Sequence, residues 1–267
     1  INCKESPAVA AVHSLKKLLD RQMPNNITDL IATNCGQGGK SIEKLSKENT
    51  NGANYYSVLF EPAIQRAKTI ADNNSKSINC PAIIWMQGEY NYVNLAGEGL
   101  TSGTDATNDK DTYKALLLTL KNNMQSDIMA MYGQTEKPFL FMYQVSGTYI
   151  NLENMAINMA MIEFAAEHDE VILMNPTYQM PDYNAGHLSS NGYRWYANHI
   201  AKQLFKTLLK FEKSHTLTAE KISVKNDGRE IIIDFNVPAP PIVLRRWSRS
   251  STKTWGSSTA RSPRFTA

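Results

Sequence analysis

Short segments made almost wholly of apolar residues alternate along this chain with longer segments whose apolar residues recur every three or four positions. The short segments have the length of β-strands buried on both faces, and the longer ones have the spacing of amphipathic helices. Residues 80–86 (CPAIIWM) are the clearest strand, and a long helix with Tyr113, Leu117 and Leu120 on one face follows them. This alternation predicts a mostly parallel sheet covered by helices on both faces.

The same two patterns locate the other elements. The remaining expected strands are residues 30–33, 138–145 and 171–174. Five helices are expected. The first begins at Pro7, the second covers about 62–71, and the third runs from before Tyr113 to a stop at Gly133. The fourth includes Met155, Met159, Ile162 and Ala166, and the fifth covers about 190–211 with Phe211 on its apolar face.

The pattern changes after Ser214. Residues 220–225 and 230–235 resemble two strands, and the Asn226-Asp227-Gly228 segment that joins them is typical of a tight hairpin turn. The proline-rich segment 237–241 should end either kind of structure. We therefore expect an α/β domain over 1–213, the start of a β-rich unit over 214–244, and a separate tail over 245–267.

The net charge of +3 belongs to the tail rather than to the body of the chain. Residues 245–267 hold six basic side chains and no acidic one, and removing them from the 28 basic residues leaves 22 against 25 acidic ones. The body therefore carries a net charge of −3, and no nucleic-acid partner is expected. The tail is either a disordered basic segment or the product of a shifted reading frame.

The composition excludes several other classes of protein. An apolar fraction of 42% is enough for a packed core, so the chain as a whole is not disordered. No apolar run approaches the roughly 20 residues that a membrane span needs. Cys3, Cys35 and Cys80 are too few and too scattered for a disulfide framework or a zinc site, so we expect three thiols, with one disulfide as the alternative, and no metal.

Three polar loops follow predicted strands at positions where α/β proteins bind ligands. They are residues 34–41, residues 87–92 and the loop before His187. Because ligands in such folds bind at the carboxyl ends of the strands, we expect the three loops to converge on an active site.

The glycine-rich loop Gly36-Gln37-Gly38-Gly39-Lys40-Ser41 has three interpretations. A phosphate-binding loop would need glycine at position 34, where Asn34 stands, so nucleotide binding is a weaker alternative. In a second interpretation, Ser41 is a nucleophile at a strand-to-helix turn.

The third interpretation accounts for more of the chain. Three blocks occur in order: ATNCGQGGKSIEKL, IIWMQGEY and DYNAGHLSSNGYRWYANHIAKQL. Together they resemble the characteristic blocks of the SGNH (GDSL-like) hydrolase superfamily, and its sialate O-acetylesterase and acetyl-xylan-esterase-like branch in particular. The resemblance covers about residues 28–210, and Trp-x-Gln-Gly-Glu is its most specific part.

This resemblance implies a three-layer α/β/α, flavodoxin-like fold and a carbohydrate O-acylesterase without a cofactor. The substrate would be an O-acetylated sugar, cleaved through an acyl-enzyme on a serine activated by histidine. Such enzymes are often secreted or periplasmic, but the sequence itself assigns no compartment and no oligomeric state.

The resemblance also assigns roles to residues at the predicted edge. His187 would be the general base. The backbone of Gly38 and Gly39 and the side chain of Gln87 would contribute to the oxyanion hole and its surroundings, with Gly88 beside them. Glu89 would lie at the mouth of the site or brace the loop.

Two aromatic residues of the same block, Tyr90 and Tyr92, are candidates to stack on a sugar face.

The chain departs from the family pattern in two places. The family carries its acid three residues before the histidine, where Asn184 stands, and the nearest carboxylate is Asp182. Either Asp182 or Asn184 would therefore orient His187. The family's Gly-x-Ser nucleophile block, which precedes all three blocks, is not present, so we expect the first strand and the nucleophile to lie upstream of Ile1. A non-catalytic carbohydrate-binding remnant of the fold is the alternative.

Overall fold

The computed structural model describes residues 7–25, 29–93, 106–145, 155–184, 187–212 and 217–237. At residues 93, 182–184 and 218 only the backbone is described. The expectations for Cys3 and for the tail 245–267 lie outside the described residues.

A parallel sheet of three short strands lies at the centre of the chain's α/β part. The strands are β1 (Ala82–Trp85), β2 (Phe139–Met142) and β3 (Val171–Leu173), in the spatial order β1-β2-β3. The register pairs Ile83 with Leu140 and Phe141 with Ile172. The prediction of a mixed α/β fold with a parallel sheet is therefore confirmed.

The described α-helices connect and cover these strands, and a short π-helix (Tyr56–Phe60) and a 3-10 helix (Thr177–Gln179) lie between them. The α-helices are α1 (Pro7–Gln22), α2 (Ile42–Leu45), α3 (Glu61–Asn73), α4 (Glu89–Val93), α5 (Lys110–Tyr132), α6 (Ala156–Glu167) and α7 (Ser190–Leu209). The ends of α5 show why the sequence folds this way locally. The Asp109 carboxylate accepts a 2.8 Å hydrogen bond from the Thr112 backbone N–H, and Gly133 ends the helix with a φ of 68°.

Helices pack on both faces of the sheet. Successive side chains of β2 point to opposite faces, so each face carries apolar side chains that a helix layer can bury. Leu140 and Met142 are buried on one face in a core shared with α3, α5 and α6. Phe141 is buried on the other face in a core shared with α1 and α7. The strands are thus covered from both sides, which explains their continuous apolar sequence.

Residues 30–33 do not form the strand that their apolar sequence predicted. A strand needs a neighbouring strand to satisfy its backbone N–H and C=O groups. Among the described residues the outer edge of β1 is free, but residues 30–33 do not pair with it, so they have no strand partner. Leu30 still packs against the core between the sheet, α1 and α7.

The predicted apolar faces of two helices need correction. On α6 the residues that reach the core are Ile157, Met161 and Phe164, whereas Met155 and Met159 are exposed. The tertiary contacts of α6 with α5 and β3 decide which side is buried, and sequence spacing alone chose the wrong side. Phe211 lies beyond the end of α7 with a φ of 55°, so it is exposed rather than on the helix's apolar face.

A two-stranded antiparallel hairpin follows α7, as the turn sequence predicted. It consists of β6 (Thr218–Lys225) and β7 (Glu230–Asn236). Asn226, Asp227 and Gly228 have φ angles of 53°, 52° and 86°. Asn, Asp and Gly tolerate this left-handed region best, so the three residues explain why the chain turns here.

A second short ribbon precedes α7. Strand β4 (Asp182–Asn184) pairs antiparallel with β5 (His187–Leu188). A Cβ atom at Gly192, in the first turn of α7, would lie 2.4 Å from the Pro181 carbonyl oxygen. Glycine at this position therefore lets the chain entering the ribbon approach the helix closely.

None of the described helices is both long enough and apolar enough to cross a membrane.

Candidate active site

The carboxyl end of the parallel sheet carries two of the polar residues that the sequence singled out, Gln87 and Glu89. β1 is followed by Gln87, Gly88 and Glu89, and β2 is followed by Tyr143. Because the strands are parallel, these residues lie at one edge of the sheet, where α/β proteins bind ligands.

Gln87 joins this edge to the glycine-rich loop. Its Nε2 donates to the Lys40 carbonyl oxygen at 3.2 Å and to Asn91 Oδ1 at 2.6 Å. Its Oε1 accepts a 2.8 Å hydrogen bond from the buried Tyr113 hydroxyl. Both amide protons are thus used within the protein, so Gln87 would have to release a partner before it could bind an oxyanion. Its predicted oxyanion role stays a prediction.

Asn91 is the centre of the buried network around Gln87. It is 0% exposed, and its Oδ1 accepts from Gln87 and from the Ile42 backbone N–H at 3.2 Å. Its Nδ2 donates to Glu43 Oε2 at 3.3 Å and to the Thr107 carbonyl oxygen at 2.9 Å. Every hydrogen-bonding position of this amide is therefore satisfied.

Glu43 closes the network, because its other oxygen accepts a 2.6 Å hydrogen bond from the Thr107 backbone N–H. The network connects four separate parts of the chain: the glycine loop with α2, the end of β1, the segment before α5, and α5 itself. Sequence analysis missed Asn91 and Glu43. The available signal was a polar asparagine within the same Gln-Gly-Glu-Tyr-Asn segment that follows β1.

Glu89 and Tyr143 form a hydrogen-bonded pair at the same edge. The Tyr143 hydroxyl donates to the Glu89 carboxylate, and the Tyr143 ring lies edge-on to Tyr196 at 6.4 Å between centroids. Burial raises the pKa of Glu89, although the hydrogen bond from Tyr143 and the charge of His187 both lower it. Burial, and then the charge of Glu89, raise the pKa of Tyr143 well above its usual value.

His187 is exposed in β5. It lies within electrostatic reach of Glu89, because the charge of His187 lowers the pKa of that carboxyl. The ribbon register pairs Asn184 with His187 and Asp182 with Leu188. The backbone therefore brings Asn184 nearest to His187, and Asp182 one position further along. That Asp182 or Asn184 orients the imidazole stays a prediction. Glu89 is a further carboxylate on which the charge of His187 acts.

The glycine loop itself presents an exposed backbone. Gly38 and Gly39 are both exposed, and Gly39 has a φ of 64°, a conformation that strains other residues. Ser41 is 0% exposed at the start of α2. A nucleophile must be reached by a substrate carbonyl, so this burial argues against the alternative in which Ser41 attacks.

Tyr92 does not stack on a sugar. It is buried, its hydroxyl donates to Asn158 Oδ1, and it accepts a 3.0 Å hydrogen bond from the Asn158 backbone N–H. The expectation for Tyr92 was wrong because α4 turns its ring into the core.

The two described cysteines, Cys35 and Cys80, are free thiols. Burial raises the pKa of both, that of Cys80 to about 11. The thiol expectation is therefore confirmed at these two positions.

We expect Glu89→Gln to become more stable relative to the natural chain as the pH rises from about 4.5. Because burial raises the pKa of Glu89, the folded state holds this proton more tightly than the unfolded chain does. The stability associated with the neutral carboxyl is present below the unfolded value of 4.5 and is lost as pH rises through the folded pKa. Glutamine stays neutral and can still accept from Tyr143.

Urea unfolding at pH 4, 6 and 8 measures this difference, with Glu136→Gln at an exposed position as the control. A stability difference between Glu89→Gln and the natural chain that stays constant across the three pH values would contradict the prediction.

Comparison with known proteins found no matching family model and no matching curated protein.

Proposed function

We propose that this chain is the body of an SGNH-type carbohydrate O-acylesterase that removes an acetyl group from a sugar. The observation that supports it most is the convergence of three sequence blocks at one sheet edge. Gln87 binds the glycine loop through the Lys40 carbonyl, and Glu89 lies within electrostatic reach of His187. These blocks are separated by 47 residues or more along the chain, so their meeting is not a consequence of local sequence.

In the proposed reaction a serine hydroxyl attacks the acetyl carbonyl while His187 accepts its proton. The tetrahedral oxyanion would be stabilised by backbone N–H groups of the exposed Gly38-Gly39 turn. Collapse breaks the bond to the sugar oxygen, which takes the proton from the imidazolium. Water, deprotonated by His187, then releases acetate and restores the serine.

We place the nucleophile on a further strand beside β1. Three observations support this position. The outer edge of β1 is unpaired among the described residues, although its sequence is typical of an interior strand. Residues 30–33 have a strand-like sequence and yet do not pair with this edge. Ser41, the serine of the glycine loop, is buried.

The test is esterase activity toward 4-nitrophenyl acetate and toward O-acetylated sugars, measured for this chain and for a polypeptide that extends upstream of Ile1. We expect turnover by the extended polypeptide and none above background by this chain. In the extended polypeptide, His187→Ala should lower kcat by about 10³-fold or more. His13→Ala, at an exposed position on α1, is the matched control and should leave kcat unchanged.

Activity of this chain that disappears in Ser41→Ala would contradict the proposed position of the nucleophile. Sugar binding by the extended polypeptide without turnover would favour a non-catalytic carbohydrate-binding protein instead.

A further inference from the structure

The hairpin formed by β6 and β7 has one apolar face and one polar face. Cross-strand pairs put Ile222 opposite Ile233 and Val224 opposite Ile231, so these four side chains share a face with Phe235. We call these five residues the apolar hairpin face. The opposite face carries Lys221 paired with Asp234, Ser223 with Ile232, and Lys225 with Glu230.

The apolar hairpin face is uncovered in the described part of the chain. Its five side chains are between 43% and 65% exposed. An isolated two-stranded hairpin is at best marginally stable in water, and a half-apolar one normally buries its apolar side against another layer. The face therefore has the character of a docking surface rather than of a solvent-exposed sheet.

The size and charge of the face restrict what can cover it. Two strands of about eight residues form a surface of roughly 25 Å by 10 Å, or about 250 Å². A stable dimer needs about 800 Å² on each partner, so a second copy docked here alone would be held weakly. The opposite-charge pairs on the polar face balance one another, so no excess of basic residues favours an anionic lipid surface.

The chain supplies an apolar segment immediately after the hairpin. β7 ends at Asn236, and Ile242-Val243-Leu244 follows the proline-rich segment 237–241. A segment joined to the face by so short a connection has an effective concentration near the millimolar range, which a separate partner would rarely reach. Three consecutive large aliphatic side chains also match the chemistry of the face.

We propose that the apolar hairpin face is the docking site for residues 238–244 of the same chain. This contact would complete the β-rich unit that the hairpin begins, and it is independent of the proposed esterase function.

The test is trypsin cleavage after Arg245 and Arg246, which directly follow the docked segment, with the fragments identified by mass spectrometry. In the full chain we expect cleavage there to be about tenfold slower than in a synthetic peptide of residues 238–267. Ile233→Ser should bring the rate close to that of the peptide. Ile232→Ser is the matched control, because it changes the neighbouring isoleucine on the polar face and should keep the protection.

Ile222→Ser, on the partner strand opposite Ile233, should act like Ile233→Ser, and far-UV circular dichroism of each variant verifies that the α/β part is folded. Cleavage of the natural chain at the rate of the peptide would overturn the proposal, and so would equal effects of Ile233→Ser and Ile232→Ser. Protection that grows with protein concentration, together with a dimer in sedimentation, would instead identify a second copy as the occupant.

Discussion

Replacing Gly88 by alanine is expected to lower the free energy of unfolding by about 2–5 kcal/mol. Gly88 has a φ of 149°, which residues with a side chain rarely adopt. An added Cβ would lie 2.6 Å from Met161 Cε, 3.3 Å from Ile157 Cγ2 and 3.4 Å from Val145 Cβ. The methionine end can move, but the two β-branched side chains are stiff, so backbone strain and overpacking add together.

Urea unfolding monitored by circular dichroism measures the loss, with Gly38→Ala as the matched control. A Cβ at Gly38 would meet nothing within 4 Å, so that change should alter stability by less than about 1 kcal/mol. Similar losses in the two variants would show that the close approach of α6 to Gly88 does not set the cost.

Replacing Asn91 by aspartate should lower the free energy of unfolding by about 3–5 kcal/mol near neutral pH. The substitution keeps the shape of the side chain but removes both donors, to Glu43 Oε2 and to the Thr107 carbonyl oxygen. It also puts a second carboxylate beside Glu43 in a fully buried position. The loss is therefore electrostatic rather than steric.

The same reasoning predicts that Asn91→Asp lowers the free energy of unfolding by less in acid than near neutral pH. Burial and the nearby Glu43 raise the pKa of the introduced carboxyl above its unfolded value of about 3.9, so the folded state binds the proton more tightly. The destabilisation is then smaller below that value, where the neutral carboxyl can still donate one of the two hydrogen bonds, and it grows as the pH rises through the folded pKa. Unfolding at pH 4 and pH 7.5 measures this change.

Asn122→Asp provides the control, because Asn122 is exposed on α5 and already accepts a hydrogen bond from Lys121. It should change stability by less than about 0.5 kcal/mol. A penalty at Asn91 that is the same at both pH values would contradict the electrostatic explanation and leave lost packing as the cause.

Much of the fold was predictable because the signals are local. The apolar run 80–86 predicted β1, Gly133 predicted the end of α5, and Asn226-Asp227-Gly228 predicted the hairpin. Each depends on backbone preferences and side-chain periodicity within a few residues, which the sequence displays directly.

The candidate site was predictable in part. Parallel strands put their carboxyl ends at one edge, so Gln87 and Glu89 could be assigned to it from sequence. The partners of those residues could not be assigned, because Tyr143 is 54 positions from Glu89 and Lys40 is 47 positions from Gln87. Periodicity also placed Tyr113 in the core without showing that its hydroxyl holds Gln87.

The sequence by itself determined the alternation of the three parallel strands with the long helices, the turn of the hairpin and the sheet edge at which Gln87 and Glu89 lie. Only the tertiary structure decided that Ser41 and Tyr92 are buried, that residues 30–33 do not form a strand, and that the network around Asn91 and Gln87 connects four parts of the chain. The physical reason is the same for all of them. Burial, sheet pairing and buried hydrogen bonds depend on which distant segments meet, and that is a property of packing rather than of local sequence.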